Sequence, residues 1–194
     1  ERAVRAKAAR TRCADLLLSL DILAEVRKDA AKLIAGEEAP VQLIYLAVTS
    51  RLFQRPISVL DRGPSSSGKS HVIGRVLDFF PESAYYALTS MSSRAIIFSE
   101  ESFAHRFLYL FEAAGMEDEV LEYVVRSLLS EGRVRYDVTE KTPEGKLVTR
   151  AIEKPGPTGV ILTSTRAWIN PENETRLLAI TTDDTKRQTE AVIQ

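Results

Sequence analysis

Near the start of the chain, apolar residues recur at three- and four-residue steps: Leu16, Leu20, Leu23, Val26, Ala30 and Leu33. With 3.6 residues to a helical turn, that spacing lays them on one stripe, so residues 1–36 read as amphipathic helix. Gly36 and Pro40 then punctuate the chain. The second predicted helix, residues 41–53, is apolar on most of its circumference and is expected to be buried. After Pro56 the period changes, and residues 57–60 (Ile-Ser-Val-Leu) form a short run that ends at a glycine loop, the pattern of a buried strand. Helical spacing returns over residues 71–79, Pro81 stops it, and residues 84–88 are the next strand. Strand, loop, helix and strand in that order predict a βαβ unit with a parallel sheet.

Further on, residues 107–111 read as a central strand, and Met116, Val120, Leu121, Val124, Val125, Leu128 and Leu129 as the apolar face of a helix. Residues 133–138 and 146–152 alternate polar and apolar positions around Thr142-Pro-Glu-Gly145, a β-hairpin with a type I turn. Residues 159–162 and 177–180 supply two more short buried strands. The pattern divides the chain into a helical segment, residues 1–55, and an α/β core, residues 56–194, with no internal repeat.

Composition narrows the function classes. The 194 residues, 44% apolar and 27% charged, suit one globular α/β domain and neither disorder nor a fibre. A single cysteine, Cys13, excludes an internal disulfide, and a reducing cytoplasm is the expected compartment. The net charge of −1 gives the chain as a whole no electrostatic footprint for nucleic acid, although a local basic element is compatible with it. No apolar run approaches the roughly 18 residues that cross a bilayer, so no membrane partner is expected. The chain starts at Glu1 and stops within a helical pattern over residues 185–194, which reads as a piece of a longer protein.

The chemistry concentrates in residues 63–70. Gly63, Pro64, Ser65, Ser66, Ser67, Gly68, Lys69 and Ser70 match G-x-x-x-x-G-K-[ST] in full, between a predicted strand and a predicted helix. The glycines let backbone N–H groups curl around phosphate, and the helix that runs on through His71 presents its positive end to the same anion. Lys69 is expected to reach the β and γ phosphates of ATP, and Ser70 to ligate Mg²⁺. Hydrolysis also needs a carboxylate that orients the attacking water. Glu112, directly after the apolar run 107–111, is placed for that role, with an acid opening the next helix as the plain structural alternative. The aspartate that commonly precedes such a glutamate is Phe111 here, which leaves magnesium to Ser70, the phosphates and water.

These motifs resemble the AAA+ ATPases and, within them, the minichromosome maintenance helicase-like group, most nearly the ATPase modules of phage and bacterial primase-helicases. The resemblance covers about residues 56–187. It implies a P-loop NTPase fold of AAA+ type: an α/β, three-layer αβα parallel sheet with a β-hairpin insertion and an N-terminal helical prefix, cut short before a C-terminal lid. It implies that residues 133–154 are a pre-sensor hairpin that contacts DNA, and that Thr163 or Thr165 is the sensor at the end of its strand. It further implies that Arg176 is a finger reaching the γ phosphate of a neighbouring subunit in a hexameric homo-oligomeric ring, with Arg166 as the competing finger.

Each of these has a plainer reading in the residues themselves. Arg176 lies beside Glu172 and Glu174, so a local ion pair is the alternative; the hairpin mixes six basic with four acidic residues over 133–154, so a solvated ribbon is another. His71 and His105 read as structural. The function expected is an ATP-hydrolysing motor, a DNA helicase or translocase module of a replication protein. A non-motor nucleotide switch or kinase is the alternative, as is a degenerate domain that binds ATP without turnover.

Overall fold

The computed structural model describes residues 13–88, 93–111, 119–165 and 171–182, together with residues 4, 8, 10 and 11. Glu112, Met116, Arg166, Asn170 and the predicted terminal helix over 185–194 lie outside the described residues.

After the helical residues Val4, Ala8, Arg10 and Thr11 come α1 (Ala14–Leu18), α2 (Ile22–Ala30) and α3 (Glu38–Thr49). The predicted first helix is broken at Ser19, because Asp21 caps a new one, its carboxylate accepting from Ala24 N at 2.9 Å. The break turns the apolar stripe: Val26 and Ala30 are buried, while Leu16, Leu20 and Leu33 are exposed. There follow β1 (Val59–Arg62), α4 (Lys69–Leu77), β2 (Tyr85–Leu88), α5 (Ser93–Phe98), β3 (Arg106–Leu110) and α6 (Glu119–Glu131). The chain continues through β4 (Val134–Lys141), β5 (Leu147–Lys154), β6 (Thr158–Ser164), α7 (Pro171–Glu174) and β7 (Leu178–Thr181). The periodicity had not marked α5, whose six residues are too few for a helical repeat to register.

Five strands form a sheet in the order β2-β3-β6-β1-β7, and every pairing in it is parallel. Helices cover both faces, which is why the strands read as nearly continuous apolar runs. Successive side chains leave on opposite faces. Val59, Phe107, Tyr109, Ile161 and Ile180 join Val72, Ile73 and Val76 of α4 and residues of α2 and α3 in one buried cluster. Leu60, Leu108, Leu110, Val160 and Leu162 join α5 and α6 in the other. The molecule is thus an α/β protein whose parallel five-stranded sheet is flanked by helices.

One contact across the sheet is specified by a glycine. Phe107 and Gly159 are lateral neighbours, and a Cβ at Gly159 would stand 2.3 Å from Cζ of the fully buried Phe107 ring. Gly159→Ala is therefore expected to lower stability by about 1–3 kcal/mol through overpacking. A thermal melt measures this, and an unchanged midpoint would mean that the ring has room to move.

The hairpin β4–β5 stands apart from the main sheet as a two-stranded antiparallel ribbon. Its turn is closed by Gly145 N donating to Thr142 O at 2.8 Å, with Gly145 at φ 83°, a left-handed conformation that suits glycine.

Candidate phosphate-binding site

The sheet order reverses at β1. The connection out of β1 leads to the β2 side, whereas the chain leaving β6 crosses to β7 on the opposite edge. In open parallel sheets a crevice forms at such a point, outside the carboxyl ends of the two strands. The loop 63–68 follows β1 there, and Thr165 follows β6. Gly63 N donates to Ser164 O at 3.2 Å, tying the loop to the neighbouring strand.

Within the loop, Ser66 (φ 66°) and Gly68 (φ 86°) are left-handed. For a serine that conformation is unusual and holds only where the surroundings impose it. Gly63 leaves little room for more: a Cβ would meet Ser67 Oγ at 3.0 Å. Gly68 is the N-cap of α4 and has no side chain to cap it, so among the described residues the first N–H groups of the helix have no side-chain cap. That end carries partial positive charge and points into the loop.

Lys69 is 7% exposed and folds back over the loop. Its Nζ donates to Gly63 O at 2.8 Å, to Pro64 O and to Ser67 Oγ at 3.2 Å. Among the described residues these neutral oxygens are its hydrogen-bond partners. An ammonium has three donors, and three weak acceptors use them without neutralising the charge. An anion entering the loop would offer stronger, charge-assisted bonds. Ser70, the cation ligand that the sequence suggested, is exposed on the first turn of α4. His71 is turned away from this purpose: its Nε2 lies 3.4 Å from Leu33 O, joining α4 to the helical segment. His105 likewise serves structure, with Nδ1 2.9 Å from Arg51 O.

Beneath the loop lies a polar group that the motif did not indicate. Asp61, two residues before Gly63, is 0% exposed. Thr182 donates to it from N (3.3 Å to Oδ1) and from Oγ1 (3.0 Å to Oδ1, 2.8 Å to Oδ2). Burial pushes the Asp61 carboxyl above its ordinary range, opposed by the Thr182 bonds and by the Lys69 charge. Thr163 is buried and laterally paired with Asp61, whereas Thr165 is exposed just past the end of β6. Of the two sensor candidates, Thr163 is the one beside the carboxylate. An acid directly after the run 57–60 was the available signal for Asp61; nothing local marks Thr182.

The other predicted residues are less directly placed. Arg176 donates to Glu172 O at 3.2 Å and Glu172 Oε1 at 3.3 Å, the local pairing that its neighbours suggested. In the hairpin, Arg135 faces Asp137 and Glu153, and Arg150 faces Glu140, at 3.7–3.9 Å. Lys154 is buried, donating to Ser99 O with its ammonium 5.4 Å from the Phe103 ring centre, so it anchors the ribbon rather than facing solvent. A cleft of about 370 Å³ between α6 and β4, lined by Tyr123, Ser127, Glu131, Arg135, Tyr136 and Asp137, contains none of the loop residues.

No protein-family model matches the chain, and no curated protein matches it. Among solved structures it is similar to NtrX from Brucella abortus, at 16% identity and a TM-score of 0.43, over 88% of this chain and 42% of that one. The chain thus spans less than half the length of that structure, and a likeness this distant carries no argument about chemistry. Fold and site together define the class: a parallel-sheet α/β protein with a glycine-serine loop, a buried lysine and an uncapped helix start at the carboxyl end of its first strand. Among the described residues no helix is long and apolar enough to cross a membrane.

Proposed function

We propose that this chain binds ATP with Mg²⁺ through residues 63–70 and hydrolyses it, as the AAA+ motor module of a DNA helicase or translocase. The observation that carries the binding step is Lys69: a nearly buried ammonium held, among the described residues, by neutral loop oxygens at the uncapped start of α4. Lys69 would swing from the loop carbonyls to the β and γ phosphates. Backbone N–H groups of the loop and helix start would take the remaining phosphate oxygens. Ser70 would ligate the magnesium, which screens the phosphate charge as the γ group leaves.

The motor reading adds Glu112 as the base that orients water, Thr163 or Thr165 as sensor, Arg176 as a finger in trans and the hairpin as a DNA contact. The Arg176–Glu172 pair and the hairpin pairs are largely solvent-exposed, and such pairs contribute little, so exchange for a phosphate is affordable. The test is equilibrium binding of a fluorescent ATP analogue, together with ATP turnover with and without single- and double-stranded DNA. Absence of binding would refute the reading at its base.

A specific observation favours a second reading, ATP binding without turnover. The Phe111 ring packs on Tyr109, with centroids 4.0 Å apart, where a metal-holding aspartate commonly stands. Tight binding with no turnover under any DNA condition would select it. For the finger, Arg176→Ala is expected to keep ATP binding and lose most turnover. Mixing those subunits with Lys69→Ala subunits should restore part of it, because a mixed interface pairs an intact finger with an intact loop. A mixture as inactive as either parent, with mixed rings confirmed by native mass spectrometry, returns Arg176 to its pairing with Glu172.

A further inference from the structure

Arg62 is the last residue of β1 and directly precedes Gly63 of the loop. Its side chain reaches α7: Nη2 lies 2.7 Å from Glu174 Oε1, with the two side chains 25% and 34% exposed. A helix of four residues cannot hold itself in place, so α7 lies where its contacts put it. Packing alone seats it imperfectly, because Asn173 is 0% exposed and neither polar atom of its amide has a hydrogen-bond partner. The ion pair to Arg62 fastens α7 to the strand that opens the loop. Arg176 continues the same turn. Arg176 N donates to Asn173 O at 3.1 Å and Leu177 N to Glu174 O at 3.1 Å, so the backbone of Arg176 is held by α7 and placed by it.

The two arginines differ in how firmly they are paired. The Arg176–Glu172 pair, at 3.3 Å, has side chains 34% and 59% exposed, so it is both longer and wetter than the Arg62–Glu174 pair and is the weaker of the two. When Arg176 exchanges Glu172 for a phosphate, Glu174 therefore stays on Arg62 and α7 keeps its place. We propose, resting on the motor reading above, that Arg62 and Glu174 are positioning residues for the arginine finger. Their ion pair sets Arg176, which serves the neighbouring subunit, at a fixed place relative to the loop that holds the subunit's own nucleotide. Neither residue touches the phosphate that Arg176 serves; both act through α7. A guanidinium displaced by about 1 Å loses its alignment with the charge on the γ phosphate, so breaking the pair slows turnover and leaves nucleotide binding alone.

The experiment measures affinity for a fluorescent ATP analogue and ATP turnover in Glu174→Gln, alone and in mixed rings confirmed by native mass spectrometry. The variant is expected to bind the analogue as wild type does and to turn over ATP about tenfold or more slowly, while Glu174→Asp, which keeps the charge, recovers most of the rate. Mixing Glu174→Gln with Lys69→Ala subunits should restore part of the turnover, because the Lys69→Ala subunits bring intact fingers to intact loops. Mixing it with Arg176→Ala subunits should restore none, because no subunit then has a well-placed finger. Recovery in that second mixture means that the pair serves its own loop and overturns the proposal, as does full turnover in Glu174→Gln. Arg62→Gln is read in the same way should Glu174→Gln not fold; loss of fold or of ATP binding in both marks a structural role and also overturns it. Wild type without turnover, or Arg176→Ala with full turnover, refutes the motor reading itself and the proposal with it, an outcome distinct from the others.

Discussion

Lys69→Ala is expected to lower affinity for ATP by about a hundredfold or more. Two charge-assisted bonds to phosphate, at ~1.5–3 kcal/mol each, would be lost, and every 1.4 kcal/mol is tenfold in affinity. The loss is specific to the ligand. In the structure the ammonium bonds only to Gly63 O, Pro64 O and Ser67 Oγ, and it is desolvated without an ion pair among the described residues. Removing it leaves those oxygens beside solvent at the loop, so the variant is expected to melt close to wild type. Titration of a fluorescent ATP analogue, with a thermal melt as control, separates the two effects. Unchanged affinity in a folded variant would remove residues 63–70 from nucleotide binding.

The second large effect is on turnover. Glu112→Gln is expected to keep ATP binding and slow hydrolysis by roughly a hundredfold or more, since an amide cannot take the proton of an attacking water. The strand that leads to it is as predicted: β3 is buried from Phe107 to Leu110, and Phe111 follows it against Tyr109. Glu112 is the first acid beyond. Single-turnover hydrolysis with the analogue-binding titration as control measures it. Normal turnover would move the base to another acid, with Glu100 and Glu101 next in line, although Glu101 is already bonded to Arg106 at 2.7 Å.

Several features were legible in the chain because local chemistry decides them. The loop could be read from Gly63, Gly68, Lys69 and Ser70, since only glycine tolerates the φ of 86° that Gly68 adopts without strain and a helix start must follow. The central strands β1, β3 and β6 could be read as apolar runs, since burial on both faces permits little else, while the edge strands β2 and β7 are only partly buried. The hairpin turn was visible in Thr142 and Gly145, and its strands extend a few residues further than the alternation showed.

Other features depended on residues that meet only after folding. Strand order was not legible, because parallel strands are joined by crossovers and no local pattern says that β6 lies between β1 and β3. Asp61 and Thr182 are 121 residues apart in the chain, and each alone is an ordinary polar residue at the end of a strand. Lys154 reads as one more exposed cation until Ser99 and Phe103 close around it. By itself the sequence determined most of the segments that form helices and strands and marked the glycine-serine loop as the candidate site, since those follow from period and glycine conformations. Only the tertiary structure decided which buried polar groups stand beneath that loop, because burial and hydrogen-bond partners are properties of contacts between strands far apart in the chain.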